Sequence, residues 1–86
     1  MKNTVSKTII QKYVVAYYGL NNCGQYEICY MSKYNDTWGE TMDVLFADSC
    51  SNKEQAEQII EEIEKFGIHN DWHILKVEFS INIEEC

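Results

Sequence analysis

Eighty-six residues make one domain, and folding at that length removes only about 60–65% of the unfolded chain's surface from water. Apolar residues at 45% and aromatics at 13% exclude a disordered chain, and no run approaches the roughly 20 apolar residues that span a bilayer. A formal net charge of −7 disfavours direct contact with nucleic acid or anionic membranes, so a basic protein surface is the natural complement.

The charge is uneven. Residues 1–35 hold four lysines against Glu27, whereas residues 36–86 hold thirteen acids against three lysines. There is no arginine, which removes the usual bidentate clamp for phosphate or carboxylate substrates, and no proline. The opening "MKNTVSKTIIQKYVVAYYGL" mixes lysine, glutamine and tyrosine into its apolar residues and does not form a signal-peptide block. A cytoplasmic protein is therefore expected, with a fray at Met1 to Ser6 and a single domain over 1–86.

In chain order, Thr8 to Tyr18, "TIIQKYVVAYY", is rich in β-branched and aromatic residues, and "GLNNCG" supplies turn chemistry after it. "QYEICYMSKY", Gln25 to Tyr34, predicts a second strand leading into "NDTWGE", a turn through Asn35, Asp36 and Gly39. "TMDVLFA", Thr41 to Ala47, predicts a third. The last segment, "WHILKVEFSINI", places Leu75, Val77, Phe79, Ile81 and Ile83 on one face at period two. The order is β-β-β-α-β: an α+β domain with a four-stranded, mainly antiparallel sheet and one helix on one face. A right-handed crossover from third strand to helix to last strand predicts spatial order 4-1-2-3, the last strand running parallel to the first.

Between these strands, "SNKEQAEQIIEEIEKFG" predicts a helix over about Asn52 to Phe66. Ser51 and Glu54 have the spacing of a capping box, and Gly67 can adopt the left-handed conformation that stops a helix, bringing Ile68 near Ile63. Ala56, Ile59, Ile60, Ile63 and Phe66 form the stripe expected to meet the sheet. Glu54, Glu57, Glu61 and Glu64 share one flank, with Glu62 on the opposite flank. Glu57 and Glu61 repel at i, i+4, and Glu64 opposes the helix dipole, so this ridge costs helix stability without an evident folding return. Four carboxylates over ~15 Å are sparser than a DNA phosphate row. Acids from the turns would have to join them, with Asp36, Trp38 and Glu40 as the neighbouring loop contact.

One helix covers one side of a four-stranded sheet, and the other side must meet solvent or a partner. If Leu75, Val77 and Phe79 face the helix, then Trp72 and Ile74 point away, and Tyr13, Tyr17 and Trp72 become anchors of a homodimer or target-protein face. His69 and His73 lie four apart, but in a loop leading into a strand rather than on a helix, so no metal site is expected. Nothing orients either histidine as a base for Cys50, no oxyanion motif is visible, and no phosphate-binding glycine spacing occurs, so neither catalysis nor a cofactor is expected. The cysteines, Cys23, Cys29, Cys50 and Cys86, show neither C-x-x-C nor knot spacing and are expected as free thiols.

In size, acidity, lysine-, asparagine- and isoleucine-rich composition, and its layout of strands, "SNKEQAEQIIEEIEKFG" and "WHILKVEF", the chain resembles the small acidic accessory proteins of bacteriophages and mobile elements, a group that includes anti-CRISPR and other anti-defence inhibitors. That resemblance implies a non-enzymatic inhibitor that binds a host protein or ribonucleoprotein complex and blocks its basic nucleic-acid-binding groove. The alternative is a self-associating module that uses an aromatic sheet face.

Overall fold

A computed structural model describes residues 3–85, with side chains from Ser6 onward. The fold is α+β, one helix on an antiparallel sheet of five strands, one more than the sequence predicts. In chain order these are β1 (Asn3–Leu20), β2 (Tyr26–Tyr34), β3 (Thr37–Thr41), a 3-10 turn (Val44–Phe46), β4 (Ser49–Cys50), α1 (Lys53–Lys65) and β5 (His73–Glu85).

β1 is the template of the sheet. Ala16 pairs with both Tyr30 of β2 and His73 of β5, and Tyr13 with both Cys50 of β4 and Lys76 of β5. A residue's two ladder neighbours lie on opposite edges, so β2 and β4 share one edge of β1 and β5 occupies the other. The last strand thus lies beside the first, as predicted, but it runs antiparallel rather than parallel. The reason is β4, two residues long and invisible to pattern reading: it reverses the chain before the helix begins. The crossover therefore joins β4 to β5, which are parallel to each other with β1 between them.

The third strand is also displaced. Asn35 and Asp36 both take positive φ, 49° and 61°, the two-residue hairpin turn that asparagine and aspartate tolerate, so β3 starts at Thr37. "TMDVLFA" is then not a strand beyond Thr41. Asp43 accepts a hydrogen bond from the Leu45 N–H at 3.0 Å and caps the 3-10 turn. Asn3 to Ser6, expected to fray, belong to β1 and pair with β5 as far as Glu85; Met1 and Lys2 lie outside the described residues.

The helix cap sits one residue later than predicted. The Asn52 side chain accepts from the Gln55 N–H at 2.9 Å, and the Gln55 side chain returns to the Ser51 N–H at 3.0 Å. Asn52 and Gln55 replace Ser51 and Glu54 because they keep the three-residue spacing while leaving Glu54 free in the first turn. The stop is as predicted: Gly67 has φ 84°, its N–H reaches the Glu64 carbonyl, and the Ile68 N–H reaches the Ile63 carbonyl. Ala56 and Ile63 are fully buried and Ile59 and Ile60 half-buried, but Phe66, at the C-cap, is 53% exposed. Ile68 packs on the core instead, folded back by the Gly67 reversal.

The core joins Val15, Met31, Trp38, Ala56 and Ile63, with Tyr13, Tyr17, Trp72 and Ile74 packed against it. Odd residues of β1 therefore face the helix and even ones face away. The radius of gyration, 16.0 Å, exceeds the ~12 Å of a compact chain of this length, and the long axis is 52 Å. β1 and β5 run on past the helix as a two-stranded arm. Replacing Ile63 with Ala should cost about 2–5 kcal/mol and Asn52 with Ala about 1 kcal/mol. Denaturant unfolding checks both, as lower midpoints with an unchanged slope.

Candidate functional site

Each strand's alternation sorts its side chains to one side of the sheet. Of the strand acids between Ser6 and Ile83, Glu27, Glu40 and Glu78 pair with Gly19, Met31 and Gln11, all on the helix side. The strand positions of the other side, traced from Ser6 to Ile83 through the register, carry no carboxylate, and Lys12 and His73 are their only ionisable basic groups. The sheet is therefore polarised: the strand carboxylates lie on the helix side and the opposite strand positions are mostly apolar, with Asp71 reaching His73 from the preceding loop.

Glu54, Glu57, Glu61 and Glu64 are all exposed, and among the described residues no cation lies within salt-bridge distance of them. Glu62 differs. Lys33 Nζ lies 2.7 Å from its carboxylate and 5.7 Å from the Trp38 ring centroid, and the pair raises the lysine's pKa. Because Lys33 belongs to β2, this contact fixes the helix's rotation: Glu62 faces the β2–β3 hairpin, and the ridge lies about 120° further round.

That rotation separates the predicted partner residues. Asp36 stands at the hairpin tip and is exposed, on the Glu62 side of the helix rather than the ridge side. Trp38 is not a loop contact, because the tight turn puts it in β3, 5% exposed, in the core. Glu40 is exposed but accepts a hydrogen bond from the Tyr17 hydroxyl. The acidic ridge stands alone.

The predicted face of Tyr13, Tyr17 and Trp72 is likewise corrected. The three do come together, with Tyr17 and Trp72 edge to face at 5.8 Å, but on the covered side against the core. Ile74 and Trp72 face the helix, and the stripe from Leu75 to Ile83 faces away. The start of β5 is apolar on both sides, so its period does not reveal which side the helix takes. Ile81 and Ile83, 46% and 55% exposed, end the stripe on the arm.

A shallow cleft of about 150 Å³ opens beside Tyr17, Met31, Trp38, Glu40, Ile68 and Asn70. Small-molecule sites usually have about 300–1,000 Å³, so this one has room for a single side chain. The Trp38 and Trp72 indole N–H groups are buried without an acceptor. Cys50 Sγ donates to the Tyr13 and Asn52 carbonyls, not to an imidazole, and burial pushes its thiol pKa up. His73 stacks edge-on against Tyr18 at 4.9 Å, with Nε2 3.5 Å from Asp71. Among the described residues no three metal-ligating side chains gather, Cys23, Cys29 and Cys50 are free thiols, and no helix is long and apolar enough to cross a membrane. Cys86 lies outside the described residues.

The architecture is that of an α+β domain with one helix on an antiparallel sheet and an acidic helix side. No family model, curated protein or solved structure matches the chain.

The hydrogen bond to Glu40 holds the Tyr17 proton, and burial adds to it, raising the phenol well above its ordinary range. The folded state keeps this proton more tightly than the unfolded state does. The resulting stability is fully present below the ordinary phenol pKa of about 10 and is lost as pH rises through the raised folded value. Alkaline titration followed by tyrosinate absorbance should show a lagging fraction. Tyr17→Phe should remove it, and Glu40→Gln should bring it to lower pH.

Proposed function

We propose that this chain is a non-enzymatic binding protein that lays its acidic helix side on a basic surface of a host protein or ribonucleoprotein complex. The observation that carries this reading is the segregation of charge: four exposed, unpaired glutamates share a helix flank, on a sheet whose strand positions facing away from the helix carry no carboxylate between Ser6 and Ile83. Scattered acids would keep a protein soluble equally well. Acids gathered on one side give the molecule a directional negative field that steers it toward a positive groove.

The ridge remains too sparse to copy a phosphate row, and Asp36 and Glu40 do not extend it. Electrostatic steering followed by steric blocking of a groove suits it better than mimicry of a nucleic-acid strand. An anti-defence inhibitor, expected from the chain's resemblance to phage accessory proteins, fits this behaviour. The small cleft, lined by the hydrogen-bonded Tyr17 and Glu40, suits one side chain of a partner rather than a substrate.

Changing Glu54, Glu57, Glu61 and Glu64 together to lysine should abolish capture of nucleic-acid-handling complexes from host lysate, with far-ultraviolet circular dichroism unchanged. Binding by the parent protein should also weaken steeply with added salt. Undiminished capture by the folded variant would overturn the proposal.

A further inference from the structure

Among the described residues, three stretches of strand edge at least five residues long have no partner. β3 is one, but it is only five residues long. The outer edge of β1 from Asn3 to Lys12 is the second. It carries a register irregularity between Thr4 and Ser6 and, from Ser6 on, lysines as its only charges, both of which discourage pairing. The third is the outer edge of β5, thirteen residues from His73 to Glu85. It pairs only with β1, contains no proline, and receives no backbone hydrogen bond from any other segment. Natural sheets rarely leave so long an edge without a bulge, a proline or a covering segment.

We infer that β5 pairs with β5 of a second copy, antiparallel about a twofold axis through Ser80, joining the two sheets edge to edge. Symmetry narrows the choice of register. A twofold axis perpendicular to the sheet keeps each side chain on its own face, so opposed residues must have the same parity and the axis must pass through a residue. Centring on Glu78 sets that carboxylate against its own copy, and centring on Ile81 sets Glu78 against Glu84. Centring on Phe79 leaves Lys76 opposite Asn82 and Glu84 opposite Ile74. Centring on Val77 also sets Lys76 opposite Glu78 twice, but it brings the two acidic helices to half the separation that centring on Ser80 gives. Centring on Ser80 places Lys76 opposite Glu84, Val77 opposite Ile83, Phe79 opposite Ile81 and Glu78 opposite Asn82, each twice, with only the strand-terminal Glu85 facing an apolar residue, Leu75.

The arm makes this register compatible with a charge of −7 per copy. Ile74, which packs on the helix-side core, is six residues from Ser80, about 20 Å along the strand. The two acidic helices therefore end ~40 Å apart along the strand direction, several Debye lengths at physiological salt. The stripes from Leu75 to Ile83 meet on the other face, where the half-exposed Ile81 and Ile83 gain a neighbour. This inference does not depend on the acidic helix side having a partner.

Sedimentation equilibrium should show the parent protein at twice its monomer mass. Lys76→Glu opposes two pairs of glutamates and Glu84→Lys two pairs of lysines, so each variant alone should dimerise at least about tenfold more weakly. Both residues are exposed, so circular dichroism should be unchanged. Mixed together, the two variants should form a heterodimer as tight as the parent, because every opposed charge pair is then Lys with Glu. A strictly monomeric parent, single variants that dimerise like the parent, or a mixture that fails to associate would each overturn the inference.

Discussion

The pairing of β1 with β5 is the constraint on which the rest depends. From Ser6 to Ala16 the two strands stay in one unbroken register, and β1 meanwhile offers its other edge to β2 and β4. Every other strand except β3 is therefore positioned by β1 directly. Its alternation sorts the side chains: Tyr13, Val15 and Tyr17 toward the helix, Ile10, Lys12, Val14 and Ala16 away, with Val14 and Ala16 fully buried on that side. A slip of one residue would exchange the two sets. It would bury Glu78 where Val77 or Phe79 now sits and turn the apolar stripe toward the helix, so the burial pattern and the charge segregation are locked by the same register.

The helix is held to this frame at few points, and each one limits its freedom. The small side chain of Ala56 lets the helix approach the sheet closely, and Ile63 fills the space beneath it. The Trp38 and Trp72 rings then fill the flanks, which a helix with so narrow a buried stripe cannot cover. Lys33 and Glu62 select the helix's rotation from the hairpin side. As a solvent-exposed pair, their contribution to stability is screened, but their geometry determines where the four unpaired glutamates point.

What could be read from the sequence was what depends on neighbours close in the chain. The helix, its glycine stop and its glutamate flank follow from i, i+3 and i+4 relations, and all of them are present; the cap was misplaced by one residue because Ser51 and Asn52 offer the same chemistry. The tight turn at Asn35 and Asp36 was signalled by two residues that tolerate positive φ, and reading it as ending at Gly39 cost the third strand and left Trp38 in a loop. β4 had no local signal at all. Two residues have no period, and their strand character comes entirely from the β1 edge they meet. Because β4 was missed, the crossover was drawn from the wrong strand and β5 acquired the wrong direction.

The candidate site was least legible where two chemically similar faces compete. Both sides of β5 near Ile74 and Leu75 are apolar, and tyrosines occur on both sides of β1, so composition could not say which side the helix would cover. The carboxylates could have decided it. Glu27, Glu40 and Glu78 all fall on one parity once the strands are set in register, and that is the side of Gln11 and Met31. A strand carboxylate needs water at its tip, which the rim around a narrow helix offers. The helix covers too little of its side to exclude such groups, so the acids collect around it. The opposite side, where no helix breaks the apolar surface, is left to isoleucine, valine, phenylalanine and tyrosine.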